Sequence, residues 1–276
     1  VVVRKDDKDT LIALEKRLSS QLSLRSILVA VPGQVAALNT ALKVAQGDII
    51  AFTDDDAKPH ITWLESMSIH FLTSEKIGAV GGKDWVYRGK DLLEGRRRLV
   101  GKVQWFGRII GNHHLGIGEP RTVDLLKGVN MGFRREAIKG MYFDERLKGT
   151  GAQVHCDLDF CLRLKRTGWL LIYDPKVAVD HYPAQRFDED RRGEYNTVAQ
   201  INAVHNETLI LLQHFSPLQR YIYLIWSISI GTREAPGCLQ FFRFLPHEGY
   251  IAASKILATL QGRLKGIKTL YIEKAS

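Results

Sequence analysis

Cysteine is scarce in this chain: three in 276 residues, Cys156, Cys161 and Cys238, an odd number with no paired spacing. That excludes a disulfide framework and a zinc knuckle, and it favours a reducing compartment, so a cytoplasmic location is expected. Long apolar runs are missing too. The stretch Ile222–Ile230 is apolar nearly all round, but it falls far short of the roughly 20 residues that cross a bilayer. There is no helix-turn-helix, zinc finger or RNA-binding aromatic pair, so nucleic acid is not an expected partner. No Gly-rich basic loop of the kind that cradles a triphosphate is present either, which weighs against nucleotidyl transfer. The chain does not begin with Met; it opens in Val1-Val2-Val3, a β-branched run that reads as a strand and suggests a fragment.

What is present suits a folded protein. The composition is 45% hydrophobic and 25% charged, and the length is enough to bury one sizeable core. The formal net charge of +9 attracts nucleic acid, acidic lipid headgroups and phosphorylated ligands alike, so the sign alone does not choose among them. The clusters Arg96-Arg97-Arg98 and Arg191-Arg192 read as solvated surface.

Patterning divides the chain near residue 183. Before it, strands and helices alternate: strand Val1–Arg4, helix Thr10–Ser20, strand Ser26–Ala30, helix Gln34–Gln46, strand Asp48–Phe52, helix Ile61–Thr73 and strand Ile77–Tyr87. Alternation of this kind predicts an α/β fold with a mostly parallel sheet and helices on both faces. Ligands in such sheets sit beyond the carboxyl ends of the strands, which points to the loops after Val3 and Phe52. Asp91–Gly118 is less regular, an insertion with some helix, followed by strand Thr122–Leu126, helix Asp157–Thr167 and short strands Leu170–Tyr173 and Val177–Asp180. Residues 184–276 form a helical appendage with helices Tyr195–His214, Leu218–Ile230 and Gln240–Leu264. Its apolar stretch, set among Arg220, Arg233, Arg243 and aromatic residues, suits either a buried core or an anionic membrane surface.

The sharpest local signal is Ile49-Ile50-Ala51-Phe52-Thr53-Asp54-Asp55-Asp56, an apolar strand ending in three carboxylates. Like charges this close repel unless something positive compensates. A divalent cation, Mn2+ or Mg2+, does so by taking carboxylate ligands and completing its shell with phosphate oxygens. Side-chain alternation puts Asp54 and Asp56 on one face and Asp55 on the other. A solvated turn or helix start explains the triplet equally well in isolation.

Several further blocks recur in a set order: Gly33-Gln34-Val35-Ala36-Ala37-Leu38-Asn39, Ala45-Gln46-Gly47-Asp48, Trp63-Leu64, Lys127-Gly128-Val129-Asn130-Met131-Gly132-Phe133-Arg134-Arg135, Phe143-Asp144, Asp157-Leu158-Asp159-Phe160-Cys161-Leu162-Arg163, Gly168-Trp169, Tyr173-Asp174-Pro175 and Asp180-His181. Together with the aspartate triplet they resemble a family 2 glycosyltransferase of the GT-A, Rossmann-like fold, over Val1 to about His181. The resemblance implies one further strand ahead of Val1, a catalytic domain over 1–183, and transfer of a sugar from a nucleoside-diphosphate-sugar donor to an acceptor hydroxyl with inversion. It also implies a glycan or lipid-linked acceptor, in cell-envelope or exopolysaccharide synthesis on the inner face of a membrane.

Carried onto this sequence, the resemblance makes Asp54 and Asp56 the metal-binding pair, with His181 as a further metal ligand. Asp7, Gly33, Asn39, Asp54, Asp55, Gly128 and Asn130 become donor-binding residues. Asp157 becomes the general base, since a carboxylate in reach of the acceptor hydroxyl takes its proton; Asp159 is expected to be structural. Cys156 departs from the Glu that family members commonly carry there. No Gln-x-x-Arg-Trp motif is present, which favours one sugar per encounter. The competing readings are a non-catalytic nucleotide-sugar-binding remnant of the same fold and a sugar nucleotidyltransferase.

Overall fold

The described part of the first 88 residues follows the predicted alternation with one unpredicted strand, β4, added: β1 (Val2–Arg4), α1 (Lys8–Leu18), β2 (Ile27–Val29), α2 (Gln34–Val44), β3 (Ile49–Phe52), β4 (Ala57–Pro59), α3 (Trp63–Thr73) and β5 (Ile77–Arg88). The computed structural model describes residues 1–18, 24–186 and 188–272, so the predicted end of the first helix at Ser19 and Ser20 lies outside the described residues. The middle of the chain adds β6 (Asp91–Leu92), the hairpin β7 (Lys102–Val103) and β8 (Ile109–Ile110), a single 3-10 turn at His113–Leu115, β9 (Arg121–Thr122) and β10 (Met131–Arg134). Then follow α4 (Cys156–Arg166), β11 (Leu170–His181), α5 (Thr197–His214), α6 (Pro217–Ser229), α7 (Cys238–Glu248) and α8 (Tyr250–Ile272).

The main sheet runs β3-β10-β5-β11-β4, with β6 and β9 attached to β5 and β11. β3, β5 and β11 share one direction, as the alternation predicts; β10 runs antiparallel between β3 and β5, and β4 antiparallel along β11. The antiparallel member enters through an irregular segment instead of a crossover helix, so nothing forces it to be parallel. β1 and β2 pair parallel as a separate ribbon.

Period-two alternation sorts the strand residues onto two faces. Ile50 and Phe52 of β3, Ala79 of β5 and Met131 and Phe133 of β10 join a large core with Val35 of α2 and Leu158, Phe160 and Leu164 of α4. Ile49, Ala51, Ile77, Val80, Val177 and Val179 face the other way, against Trp63, Met67 and Phe71 of α3. The predicted strands Leu170–Tyr173 and Val177–Asp180 are one strand, β11, with a register shift between Asp174 and Ala178. The predicted strand Thr122–Leu126 keeps only its first residue in a ladder.

The helical region shares the large core: Leu209 and Leu211 of α5, Tyr223 of α6 and Leu270 of α8 belong to it. α8 lies directly on α5 because Gly262 and Gly266 carry no Cβ; one built there would stand 2.7 Å from the carbonyl oxygens of Ile201 and His205. The single predicted helix Gln240–Leu264 is two helices, parted at Gly249 shortly after Pro246, a residue that removes a backbone donor. Among the described residues, no helix is long and apolar enough to cross a membrane.

Candidate active site

β3 ends at Phe52, still in the core, and releases Asp54 into a cleft of about 990 Å³ at the carboxyl end of the sheet. The cleft is also lined by Lys127, Gly128, His155, Asp157, His181 and Arg192, a volume that suits a nucleotide-sized ligand. β4 turns back from the aspartates and pairs with β11, setting His181 opposite Ala57. That register carries His181 beside Asp56, and the Tyr182 N–H donates to the Asp56 carbonyl at 2.8 Å.

A chain of charged groups runs inward from this point. Asp56 Oδ2 accepts from the Ala184 N–H and from Arg192, both at 3.0 Å. His181 Nε2 lies 3.3 Å from Asp56 Oδ1, its Nδ1 lies 3.7 Å from Asp84 Oδ2, and Asp84 is paired with Lys127. Burial opposes ionisation of Asp56, but His181, the Ala184 N–H and Arg192 outweigh it and hold the carboxyl well below its usual range. Asp84 is fully buried, and His181 and Lys127 likewise keep it ionised against that burial. Burial disfavours a charged His181; the flanking Asp56 and Asp84 prevail and raise it. Asp54 moves the other way: burial, then the neighbouring Asp56 charge, push its carboxyl up.

Asp157 sits in the first turn of α4, where a carboxylate meets unpaired backbone donors. Its Oδ2 accepts from the Gly128 N–H at 3.1 Å and its Oδ1 from the Leu158 N–H at 2.8 Å. The preceding His155 is left-handed at φ 73°, an uncommon conformation for a residue with a side chain, and it turns the chain into α4 at the cleft wall. Cys156 points inward and its thiol is buried, which raises its pKa well above the usual range. Asp159 is buried between Arg163 and His214 and ties α4 to α5.

The other sequence-predicted residues lie elsewhere. Asp7 is exposed and caps α1, accepting from the Thr10 N–H at 3.0 Å and its hydroxyl at 2.7 Å. Asp55 is exposed and does not line the cleft. Gly33 precedes α2 at φ 112°, packed against Gln153, and the cleft is reached by its neighbour Gln34. Asn39 is buried, its carboxamide spent on Phe143, accepting from the N–H at 2.7 Å and donating to the carbonyl at 3.0 Å. Asn130 is also buried: it accepts from the Trp63 indole at 2.8 Å and donates to the carbonyls of Val177 and Lys83. Asn39 and Asn130, both expected at the donor, are buried, make scaffold contacts through both the oxygen and the nitrogen of their carboxamides, and do not line the cleft.

Sequence reasoning missed Asp84, Lys127 and Arg192. Lys83-Asp84 interrupts an otherwise apolar strand, a signal for a buried partnered charge. Arg192, expected on solvated surface, lines the cleft.

A divalent cation fits one part of this site. Asp56 Oδ1 and both nitrogens of His181 are buried without a hydrogen-bond partner. The 3.3 Å between Asp56 Oδ1 and His181 Nε2 is close to the ~3 Å expected of two adjacent ligands each ~2.1 Å from one ion. Among the described residues, however, no three His, Cys, Asp or Glu groups converge on one point. Asp54 lines the cleft beside the pair and does not complete a three-ligand set with Asp56 and His181.

Comparison with known proteins agrees with this geometry. The sequence model described as glycosyl transferase family 2 matches residues 2–141. A protein of Mycobacterium tuberculosis named pre-mycofactocin glycosyltransferase is 29% identical over 206 residues, covering 72% of this chain and 41% of that protein, so the chain spans about two fifths of that relative. Among solved structures, GalNAc-T7 with UDP, GalNAc and Mn2+ superposes with a TM-score of 0.58 at 13% identity, covering 92% of this chain and 52% of that one. S. aureus TarS in complex with UDP-GlcNAc gives 0.56 at 17% identity, covering 99% and 75%. At these identities the likeness establishes a shared fold, the GT-A arrangement of sheet and helices.

Proposed function

This chain belongs to glycosyl transferase family 2, and on that premise we propose that it moves a sugar from a nucleoside-diphosphate-sugar to an acceptor hydroxyl, with Asp157 as general base. The observation that carries the reading is the convergence of Asp157, Asp54, His181, Lys127 and Arg192 on one cleft. In the reaction, the acceptor oxygen gives its proton to Asp157 and bonds to the anomeric carbon as the bond from that carbon to the diphosphate breaks. A single in-line displacement inverts the configuration. The Gly128 and Leu158 N–H groups fix the Asp157 carboxylate, leaving each oxygen a second lone pair for the acceptor proton. Lys127 and Arg192 supply positive charge for the phosphates.

Asp56 and His181 would hold the divalent cation, Mn2+ or Mg2+, whose chemistry is Lewis-acid stabilisation of the leaving diphosphate. The solved structure of GalNAc-T7, which shares the fold, contains UDP and Mn2+. The acceptor class in this reading is a glycan, free or lipid-linked, of the kind that cell-envelope synthesis uses. The shared cleft favours this reading over a non-catalytic remnant, because a remnant has no need to keep Asp157 aimed into the donor site.

Calorimetric titration with nucleoside diphosphates and their sugars, with Mn2+ or Mg2+ and then with chelator, tests the donor site. Cation-dependent binding of one nucleotide is expected. Asp157→Asn keeps that binding and loses transfer, whereas Asp56→Ala weakens binding itself. Transfer by Asp157→Asn at the parent rate would refute the base assignment.

A further inference from the structure

One surface of the helical region is unlike the rest of the molecule. α6 buries Tyr223 and Ser227 and turns Leu218, Tyr221, Ile225 and Ile228 outward, each between 46% and 71% exposed. Their spacing of three, four and three residues makes one continuous stripe. α7, which follows across a short turn, has no buried residue and exposes Leu239 and Phe242. The tip of the β7–β8 hairpin joins the same surface: Phe106 meets Trp226 of α6 edge-on at 5.1 Å, and the neighbouring Trp105 is 63% exposed.

Charge identifies what covers this surface. From Lys102 to Ile110, from Pro217 to Ser229 and from Cys238 to His247 there is no acidic residue. The same three segments carry Arg108, Arg220 and Arg243, besides Lys102, which is paired with Asp124, and the Arg243 guanidinium lies 5.5 Å over the Phe244 ring. A protein partner would leave these cations to be matched one by one. A lipid surface of negative charge matches them all while accepting the aliphatic and aromatic side chains at its headgroup boundary. A second copy of the chain would bring cation against cation.

We propose that α6, α7 and the β7–β8 hairpin dock this protein onto an anionic lipid bilayer, with Trp105, Tyr221, Ile225 and Phe242 inserted at the headgroup boundary. The placement also connects to the cleft. Ile109 at the base of the hairpin lines it, four residues from Trp105 at the tip, so docking sets a wall of the cleft next to the lipid. The proposal does not depend on sugar transfer, and its test requires none.

Flotation of the chain with phosphatidylcholine vesicles, with and without phosphatidylglycerol, decides the matter. The protein floats with the anionic vesicles, stays behind with the neutral ones, and loses binding as salt rises. The triple variant Tyr221→Ser, Ile225→Ser, Phe242→Ser lowers the bound fraction at least about tenfold, with thermal melting unchanged because all three side chains are already exposed. Arg108→Gln with Arg243→Gln lowers it several-fold. A parent protein that stays at the bottom of the anionic gradient, floats equally on neutral vesicles, or floats as well after the triple substitution overturns the proposal. A concentration-dependent dimer that Ile225→Ser dissolves, without flotation, assigns the face to a second copy and overturns it as well.

Discussion

Replacing Asp84 by Asn separates the ion pair that this buried carboxylate makes from the part it plays in the proposed cation site. Asp84 is fully buried; it neutralises Lys127, and it faces Nδ1 of His181 at 3.7 Å. Breaking a buried ion pair from one side costs about 3–5 kcal/mol. Lys127 retains 37% of its side-chain exposure and can turn partly to water, so the lower end applies, about 3 kcal/mol. For a chain of this length that lowers the melting temperature by roughly 5–10 °C. The second effect concerns the cation. In the proposed site the Asp84 charge, 3.7 Å behind His181 and not hydrogen-bonded to it, orients the ring by attraction alone, so its loss should fall at the lower end of the ~10–100-fold drop in metal affinity seen when a carboxylate behind a metal-binding histidine is removed, about tenfold.

The double variant Asp84→Asn, Lys127→Met tells the two apart. It leaves no unpaired buried charge, so most of the lost melting temperature returns, while Mn2+ affinity, titrated without nucleotide, stays low because the negative charge behind His181 is still missing. Melting curves and Mn2+ titration on the parent, the single and the double variant are the assay. Mn2+ affinity within about twofold of the parent in Asp84→Asn would refute the orienting role. Failure of Lys127→Met to restore stability would refute the ion-pair account.

Three other substitutions probe the scaffold and the cleft. Asn130→Ala strands the Trp63 indole and the carbonyls of Lys83 and Val177, which should cost about 3 kcal/mol in urea unfolding and leave the nucleotide affinity of the folded protein unchanged. Burial opposes ionisation of Asp144, but Arg146 outweighs it and holds the carboxyl below its usual range; a depressed folded value gives stability that is full above the unfolded pKa and is lost as pH falls through the folded one. Asp144→Asn should therefore cost about 1–2 kcal/mol at neutral pH and flatten the acid limb of a stability-against-pH curve below about pH 4. The Cys156 and Cys161 thiols are buried with raised pKa values, while Cys238 is exposed. A thiol reagent should thus titrate one cysteine in the native protein and all three after denaturation, and Cys156→Ala should leave transfer within about twofold.

The parts of the fold legible in the sequence are those set by local period. β1, β2, β3, β5 and α1 to α3 stand within a few residues of their predicted positions because each carries its own apolar spacing and its own stop, whereas the short β4 was not expected. β10 joins the sheet antiparallel through contacts with Ile49–Phe52 and Ala79–Gly81, far away in sequence, and no local pattern records that choice. The same limit applies to the site. Asp54, just past the end of β3, and Asp157, in the first turn of α4, stand at the element ends to which the sequence pointed, and both line the cleft. Asn39 and Asn130 have the residue type and setting of ligand-binding groups, and only partners more than 40 residues away, Phe143 for one and Trp63, Lys83 and Val177 for the other, make them structural. Asp84, Lys127 and Arg192 went unread for the converse reason: each is defined by a partner that the fold supplies.

The triplet shows how far a correct local argument reaches. Three adjacent like charges do require compensation, yet the fold gives each aspartate a different answer. Alternation turns Asp55 to solvent, where water screens it. The β4–β11 pairing and the residues after it bring the Ala184 N–H and Arg192 to Asp56 Oδ2 and set His181 3.3 Å from Oδ1, so the chain answers one oxygen of that carboxylate and leaves the other without a hydrogen bond. Asp54 receives only a weak share of His181 and the repulsion of its neighbours, and burial raises its pKa. The unmet demand for positive charge therefore lies at Asp54, on the cleft wall, and at Asp56 Oδ1 beside it. In the proposed reaction a cation at Asp56 Oδ1 would offset the charge of a donor diphosphate lying beside Arg192, and the diphosphate oxygens would complete the cation's ligands, so the two should bind cooperatively, the nucleotide at least about tenfold more tightly with Mn2+ than with chelator in the calorimetric titration.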